Sequence, residues 1–182
     1  MSDANVLTVA VRNDETTLGL FANGDLLATW SISTRTTYTS DEAEQAMWAF
    51  LHLRDLPEPD DAILCSVVPG LTAAWTDALQ SLCGRRPLVV GPGLKSGIRM
   101  EYKDPSQMGG DRVACAVAAR ELYGAPVVIV DFGTATSITV VGEGGSLLGG
   151  AIAPGLHVGM EALSDSAAQL TETDLQAPRQ VI

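Results

Sequence analysis

The sequence has 182 residues, 46% of them hydrophobic, with 18 glycines and a formal net charge of −11 from 11 basic and 22 acidic side chains. That composition supports one ordinary domain or two small ones around a buried core, and excludes a disordered tail or a coiled coil. The acidic balance argues against broad binding to nucleic acid or to an anionic membrane surface, both of which need a cationic face, while a local basic site for a small anion remains allowed.

No apolar run approaches the roughly 20 residues that cross a bilayer. The opening Met1-Ser2-Asp3-Ala4-Asn5 lacks the basic region and apolar stretch of a secretory signal, so a cytoplasmic protein is expected. Cys65, Cys83 and Cys115 are odd in number, widely spaced and without a C-x-x-C pair, which predicts neither a disulfide scaffold nor a thiolate zinc site.

The β-branched run at 6–11 predicts a strand. Polar residues 12–15 predict a turn, 16–21 a second strand, and Asn23-Gly24 a tight hairpin into a third strand at 25–32. Ser40 or Asp41 is expected to cap a helix through Leu53, with Ala43, Ala46, Met47, Phe50 and Leu51 on its buried face. A buried strand at 62–68, a helix at 71–82 and a strand at 87–90 then complete a mixed sheet covered by helices.

A helix from Arg112 to Tyr123, stopped by Gly124 and Pro126, connects to a second start of the same pattern: strands at 127–131, 137–141 and 146–153 joined by glycine-bearing turns. A helix at 158–168 follows, with Met160, Leu163 and Ala167 on one side. Only 14 residues come after Ala168, fewer than the about 15 to 20 that one helix and a short strand usually take. The second domain is therefore expected to lack its end, supplied by a C-terminal segment or another polypeptide; the other reading is a second sheet reduced to a hairpin-like extension.

Two segments carry candidate chemistry. In 131–136, Asp131 ends a buried strand, Gly133 permits a sharp turn, and Thr134 and Thr136 add hydroxyls beside backbone N–H groups. Such donors suit phosphate oxygens and the carboxylate suits a metal ion, although an Asp-Gly hairpin alone would read the same way. In 109–112, Gly109-Gly110-Asp111-Arg112 precedes a helix. Asp111 is either that helix's N-cap or a carboxylate base that accepts a hydroxyl proton, with Arg112 recognising an acidic substrate. Lys95, Arg99, Lys103, Arg112 and Arg120 concentrate five of the 11 positive charges between Gly91 and Gly124, either as a site for a polyanion or as scattered surface charge, and Tyr102, followed by Asp104-Pro105, either lines a pocket or packs at a turn.

Residues 66–71 (SVVPGL), 90–97 (VGPGLKSG), 102–105 (YKDP), 109–112 (GGDR), 130–136 (VDFGTAT) and 149–155 (GGAIAPG) occur in the order found in type III pantothenate kinases, and the sequence resembles that family over nearly its whole length. The resemblance implies an α/β fold of duplicated ribonuclease H-like domains, as in the sugar kinase, Hsp70 and actin superfamily, here divided as 1–108 and 109–182 with the second domain incomplete. It implies ATP-dependent phosphorylation of pantothenate in coenzyme A biosynthesis. Asp111 would be the general base. Tyr102, Gly109 and Arg112 would contact pantothenate, and Asn13, Thr16, Asp131, Gly133, Thr134 and Thr136 the nucleotide. Asp131 would also hold Mg²⁺, with a monovalent cation, K⁺ or NH₄⁺, nearby. The implied assembly is a homodimer, or a heteromer with a related or C-terminal subunit, and His157 falls near the implied interface.

The first phosphate motif departs from the family pattern Asp-x-Gly-Asn-Thr-Asn-Thr. Ala10 removes a carboxylate, Arg12 replaces a glycine, and Asp14 and Glu15 add negative charge, so that only Asn13 and Thr16 are retained. Losing two charge-assisted hydrogen bonds predicts a transition state weaker by about 3 to 6 kcal/mol, roughly 10² to 10⁴ in rate. A noncatalytic homologue acting as a structural or regulatory subunit is the alternative.

Overall fold

The computed structural model describes residues 4–91, 94–102, 104, 108–167, 175, 176, 179 and 180. The features expected at Pro92, Gly93, Lys103, Pro105 and from Ala168 through 174 lie outside the described residues. The chain opens with β1 (Asn5–Val11), β2 (Glu15–Ala22) and β3 (Asp25–Ser33), an antiparallel meander. Its second turn has positive φ at both Asn23 (54°) and Gly24 (91°), the backbone that matches strand twist in a two-residue hairpin.

Helix α1 (Ser40–Leu53) is capped one residue before the expected Ser40 or Asp41. Thr39 is the N-cap: its hydroxyl accepts from the Glu42 N–H at 3.2 Å, and the Glu42 carboxylate accepts from the Thr39 N–H at 2.9 Å. This reciprocal box satisfies two N–H groups where Ser40 would satisfy one. The parallel strand β4 (Asp61–Ser66) stops short of the expected Val68, because Pro69 takes the first position of α2 (Pro69–Cys83), where its missing N–H costs nothing. Strand β5 (Leu88–Val90) closes the sheet in the order β3-β2-β1-β4-β5.

Period-2 alternation places Leu7, Val9 and Val11 of β1, Leu18 and Leu20 of β2 and Leu64 of β4 on the face covered by Met47 and Leu51 of α1 and Leu71, Trp75 and Leu79 of α2. Ala46 and Phe50, expected on the buried face of α1, are half-buried; Phe50 stacks on Trp30 with ring centroids 5.0 Å apart. Leu64 is fully buried at the centre of this core. Leu64→Ala is expected to destabilise the chain by about 2 to 5 kcal/mol in a urea titration, because the packed neighbours close only part of the resulting hole.

Helix α3 (Gly110–Tyr123) leads into β6 (Val127–Phe132), β7 (Ala135–Val141) and β8 (Leu147–Pro154), an antiparallel three-stranded sheet. Val113 and Ala116 of α3 pack with Val141 and Leu147, joined by Ile98 and Met108 from the connecting segment. Helix α3 contacts β4 and β5 of the first sheet and β6 and β7 of the second. Helix α4 (Leu156–Ser166) follows. Its expected apolar side is not buried: Leu163 is exposed, and Met160 and Ala167 are only half-covered. The helix runs 156–166 rather than the expected 158–168, so Ala167 lies outside it as an extended C-cap. One face of the second sheet is likewise open, with Val128, Val130, Phe132 and Ile138 all exposed.

Candidate active site

The carboxyl ends of parallel strands in an α/β sheet are where ligands are usually held, because turns there are free to vary while the strands fix them. Here β1 and β4 run parallel. Beyond the end of β1 the turn 12–14 is closed by a hydrogen bond from the Arg12 N–H to the Glu15 carbonyl at 3.0 Å. Helix α3 starts close by because Gly110 lets it: a Cβ there would sit 2.8 Å from the Val90 carbonyl oxygen and 3.3 Å from Cys65 Sγ. Gly109 is the N-cap, so Asp111 is not; it lies in the first turn, where the helix dipole favours a carboxylate. Among the described residues the Asp111 carboxylate has no hydrogen-bonding partner.

The third component is the β6–β7 turn, in which the Gly133 N–H donates to the Ala135 carbonyl at 3.1 Å. Gly155 braces it from the start of α4, donating to the Thr134 carbonyl at 3.1 Å in a gap too narrow for a side chain. The three components enclose a cavity of about 300 Å³ lined by Arg12, Asn13 and Asp14, by Val67, by Gly109, Asp111 and Arg112, and by Asp131, Thr134, Ala135, Ser137 and Ile152. A second cavity of about 550 Å³ shares Asp14 and Thr134 and continues past Gly133 to His157 and Glu161 of α4.

Of the residues singled out in the sequence, Asn13, Gly109, Asp111, Arg112, Asp131 and Thr134 thus meet at one cavity, and Gly133 and His157 at its neighbour. Thr16 does not: its side chain is buried and its hydroxyl shares a hydrogen bond with that of Thr34 at 2.9 Å. Thr136 sits in the strand ladder between Phe132 and Ala153. Tyr102 lies at the edge of the second sheet, its ring 3.2 Å from where a Cβ on Gly149 would be, and lines neither cavity. Ser137 and Ile152 were missed, since their strands' alternation marks a face without showing what stands across from it, and Val67 was missed because it lies in the short connection between β4 and α2.

Arg112 is held by the sheet behind it. Its Nε donates to Thr139 Oγ1 at 3.0 Å and Nη2 to the Ile138 carbonyl at 3.0 Å, leaving further N–H groups for a ligand. Arg12 is held more tightly. Its Nη1 and Nη2 donate to Asp131 Oδ1 at 3.2 Å and Oδ2 at 2.7 Å, bridging positions 119 apart in sequence. Burial alone would lower the Arg12 pKa, but the hydrogen bond and charge of Asp131, then the charges of Asp111 and Asp14, outweigh it and raise the pKa.

The thiols beside the site are not nucleophiles. Burial, with the Asp111 charge adding to it, pushes Cys65 up to about 11, and burial followed by the charges of Asp131 and Asp111 raises Cys115, so both stay protonated at neutral pH. A divalent ion held by protein side chains alone has no ready set of ligands. Both Asp131 oxygens are engaged by Arg12, and among the described residues no three His, Cys, Asp or Glu side chains are grouped to hold a metal.

Two sheets flanking a polar cleft define the class. The fold is shared with solved proteins of low sequence identity. A protein from Campylobacter jejuni named for the Baf family of transcriptional activators superposes with a TM-score of 0.55 at 18% identity, covering 96% of this chain and 68% of its own. The activator of the 2-hydroxyisocaproyl-CoA dehydratase from Clostridium difficile superposes with a TM-score of 0.54 at 11% identity, covering 82% and 46%. The sequence places the chain within that class. The family model of type III pantothenate kinase matches residues 6–182, and the type III pantothenate kinase of Moorella thermoacetica is 38% identical over 179 residues, 97% of this chain and 70% of that protein. The chain belongs to the type III pantothenate kinase family.

Proposed function

We propose that this chain transfers the γ-phosphate of ATP to the primary hydroxyl of pantothenate, forming 4'-phosphopantothenate for coenzyme A biosynthesis. The observation that carries this reading is the single cavity on which the Asp111 carboxylate, with no hydrogen-bonding partner among the described residues, the Arg112 guanidinium and the Asp131–Thr134 turn converge. Family membership supplies the substrate pair.

In this reading Asp111 accepts the hydroxyl proton as the oxygen attacks the γ-phosphorus. The new O–P bond forms while the bond to the β–γ bridging oxygen breaks, and ADP leaves with that electron pair. Arg112, braced on Thr139 and Ile138, pairs with the pantothenate carboxylate in the planar fashion that guanidinium allows. Gly109 leaves room for the acceptor beside Asp111, and Tyr102 borders the route to it. Asn13, Gly133 and Thr134 face the nucleotide phosphates, with Thr16 and Thr136 holding the two turns from behind. Mg²⁺ enters on the nucleotide as the counter-ion of its phosphates, and the monovalent cation, K⁺ or NH₄⁺, belongs on the same side. A homodimer, or a heteromer with a related or C-terminal subunit, is the corresponding assembly, supported by the open apolar face of the second sheet, and the cytoplasm is the corresponding compartment.

The test is the purified chain with ATP, Mg²⁺, K⁺ and pantothenate, with the product followed by mass. Phosphopantothenate formation that saturates in pantothenate is expected. ATP consumption indifferent to pantothenate, with no phosphorylated product, would remove the assignment.

A further inference from the structure

The wall of the cavity already carries a positive charge, that of Arg12. Arg12 reaches from the end of β1 to Asp131, and the two side chains are only 34% and 25% exposed. The fork-to-fork geometry engages both carboxylate oxygens, an arrangement available to a guanidinium and not to an ammonium. Gly133 makes room for it, since a Cβ there would lie 2.7 Å from Arg12 Nη2. Asp111 and Asp14 act electrostatically on the same guanidinium. A divalent ion binding Asp131 would have to displace this partner and then sit beside it, two like charges a few ångströms apart in a half-buried site.

From this geometry we infer that Arg12 is the resident cation of the site, holding the position at Asp131 that a divalent ion would otherwise take and turning its remaining N–H donors to the phosphate oxygens of a nucleoside di- or triphosphate. A guanidinium has five such donors. The Asp131 bonds take two, so three are left on a side chain that lines the cavity. The inference rests on placing the nucleotide at the 131–134 turn, as in the proposed function, and it makes the chain's hold on nucleotide independent of a protein-bound metal.

The experiment measures binding, not turnover. ADP is titrated by calorimetry into wild type, Arg12→Ala and Arg12→Lys, each in EDTA and in Mg²⁺, and Mn²⁺ alone is titrated by electron paramagnetic resonance into wild type and Asp131→Asn. Wild type is expected to bind ADP in EDTA within about threefold of its affinity in Mg²⁺. Arg12→Ala should lose about tenfold or more in EDTA, the equivalent of one hydrogen bond to a charged group. Arg12→Lys, which keeps the charge and loses the fork, should fall between them and guards against a folding defect. Mn²⁺ should bind wild type and Asp131→Asn equally weakly. Tight Mn²⁺ uptake abolished by Asp131→Asn, or ADP binding that requires Mg²⁺ and ignores both Arg12 substitutions, overturns the inference alone. Failure of wild type to bind ADP in either condition overturns it together with the nucleotide placement.

Discussion

Asp111→Asn is expected to lower kcat for pantothenate phosphorylation by about 10² to 10⁴-fold, the usual contribution of a positioned general base. The substitution keeps the size and most of the polarity of the side chain while removing its capacity to take a proton at neutral pH. Asp111 has no hydrogen-bonding partner among the described residues, so the change breaks no hydrogen bond; it removes a negative charge from the first turn of α3 and from the neighbourhood of Arg12, and the urea midpoint should fall only by the equivalent of about 0.3 to 1 kcal/mol. The loss should appear in kcat, with the KM for pantothenate nearly unchanged, because a group that acts only as the proton moves contributes little to ground-state binding. A substitution at exposed Arg179 is the control. Equal losses at Asp111 and Arg179, or a kcat within a few-fold of wild type, would remove Asp111 from the base role.

Gly150→Ala should be the most damaging single-methyl change in the second sheet. The added Cβ would collide with the Ile138 carbonyl oxygen on the neighbouring strand and lie 2.8 Å from Arg112 Nη2. Gly150 pairs with Thr139 in that ladder, and Ile138 and Thr139 are the two residues that hold Arg112. Strand pairing and the substrate-side arginine are therefore disturbed together. A stability loss of roughly 2 to 4 kcal/mol is expected from the backbone clash, and a rise in the pantothenate KM from the displaced guanidinium. Gly144→Ala, where a Cβ meets nothing within 4 Å, should be silent in both measurements. A Gly150→Ala protein with a wild-type midpoint would contradict the close approach on which the placement of Arg112 depends.

Much of this architecture was legible because its signals are local. Asn23-Gly24 dictates its hairpin, alternation in β1 and β4 names the buried face, and Thr39-x-x-Glu42 was a readable capping box that the neighbouring Ser40 and Asp41, good caps themselves, obscured. The motif residues Asp111 and Asp131 could be picked out as chemistry, and Arg12 as a departure that brings positive charge. The partner of Arg12 was not legible: it lies 119 positions away, and nothing near either residue encodes the turn-to-turn approach that joins them. The open side of α4 failed for a related reason. Periodicity at Met160, Leu163 and Ala167 records that a helix has an apolar side, but burial requires a second surface, which sequence spacing does not describe.

Helix α3 touches β4 and β5 on one side and β6 and β7 on the other, and Asp111 stands at its tip, seated through Gly110 on Val90 and Cys65. An axle placed between two rotating bodies moves least when they swing. Should the sheets rock apart to admit one nucleotide and expel another, the groups on the outlying turns would travel while Asp111, the proposed proton acceptor, kept its bearing on the first sheet. Reaction geometry on the acceptor side would then be insulated from the motion that loads the donor.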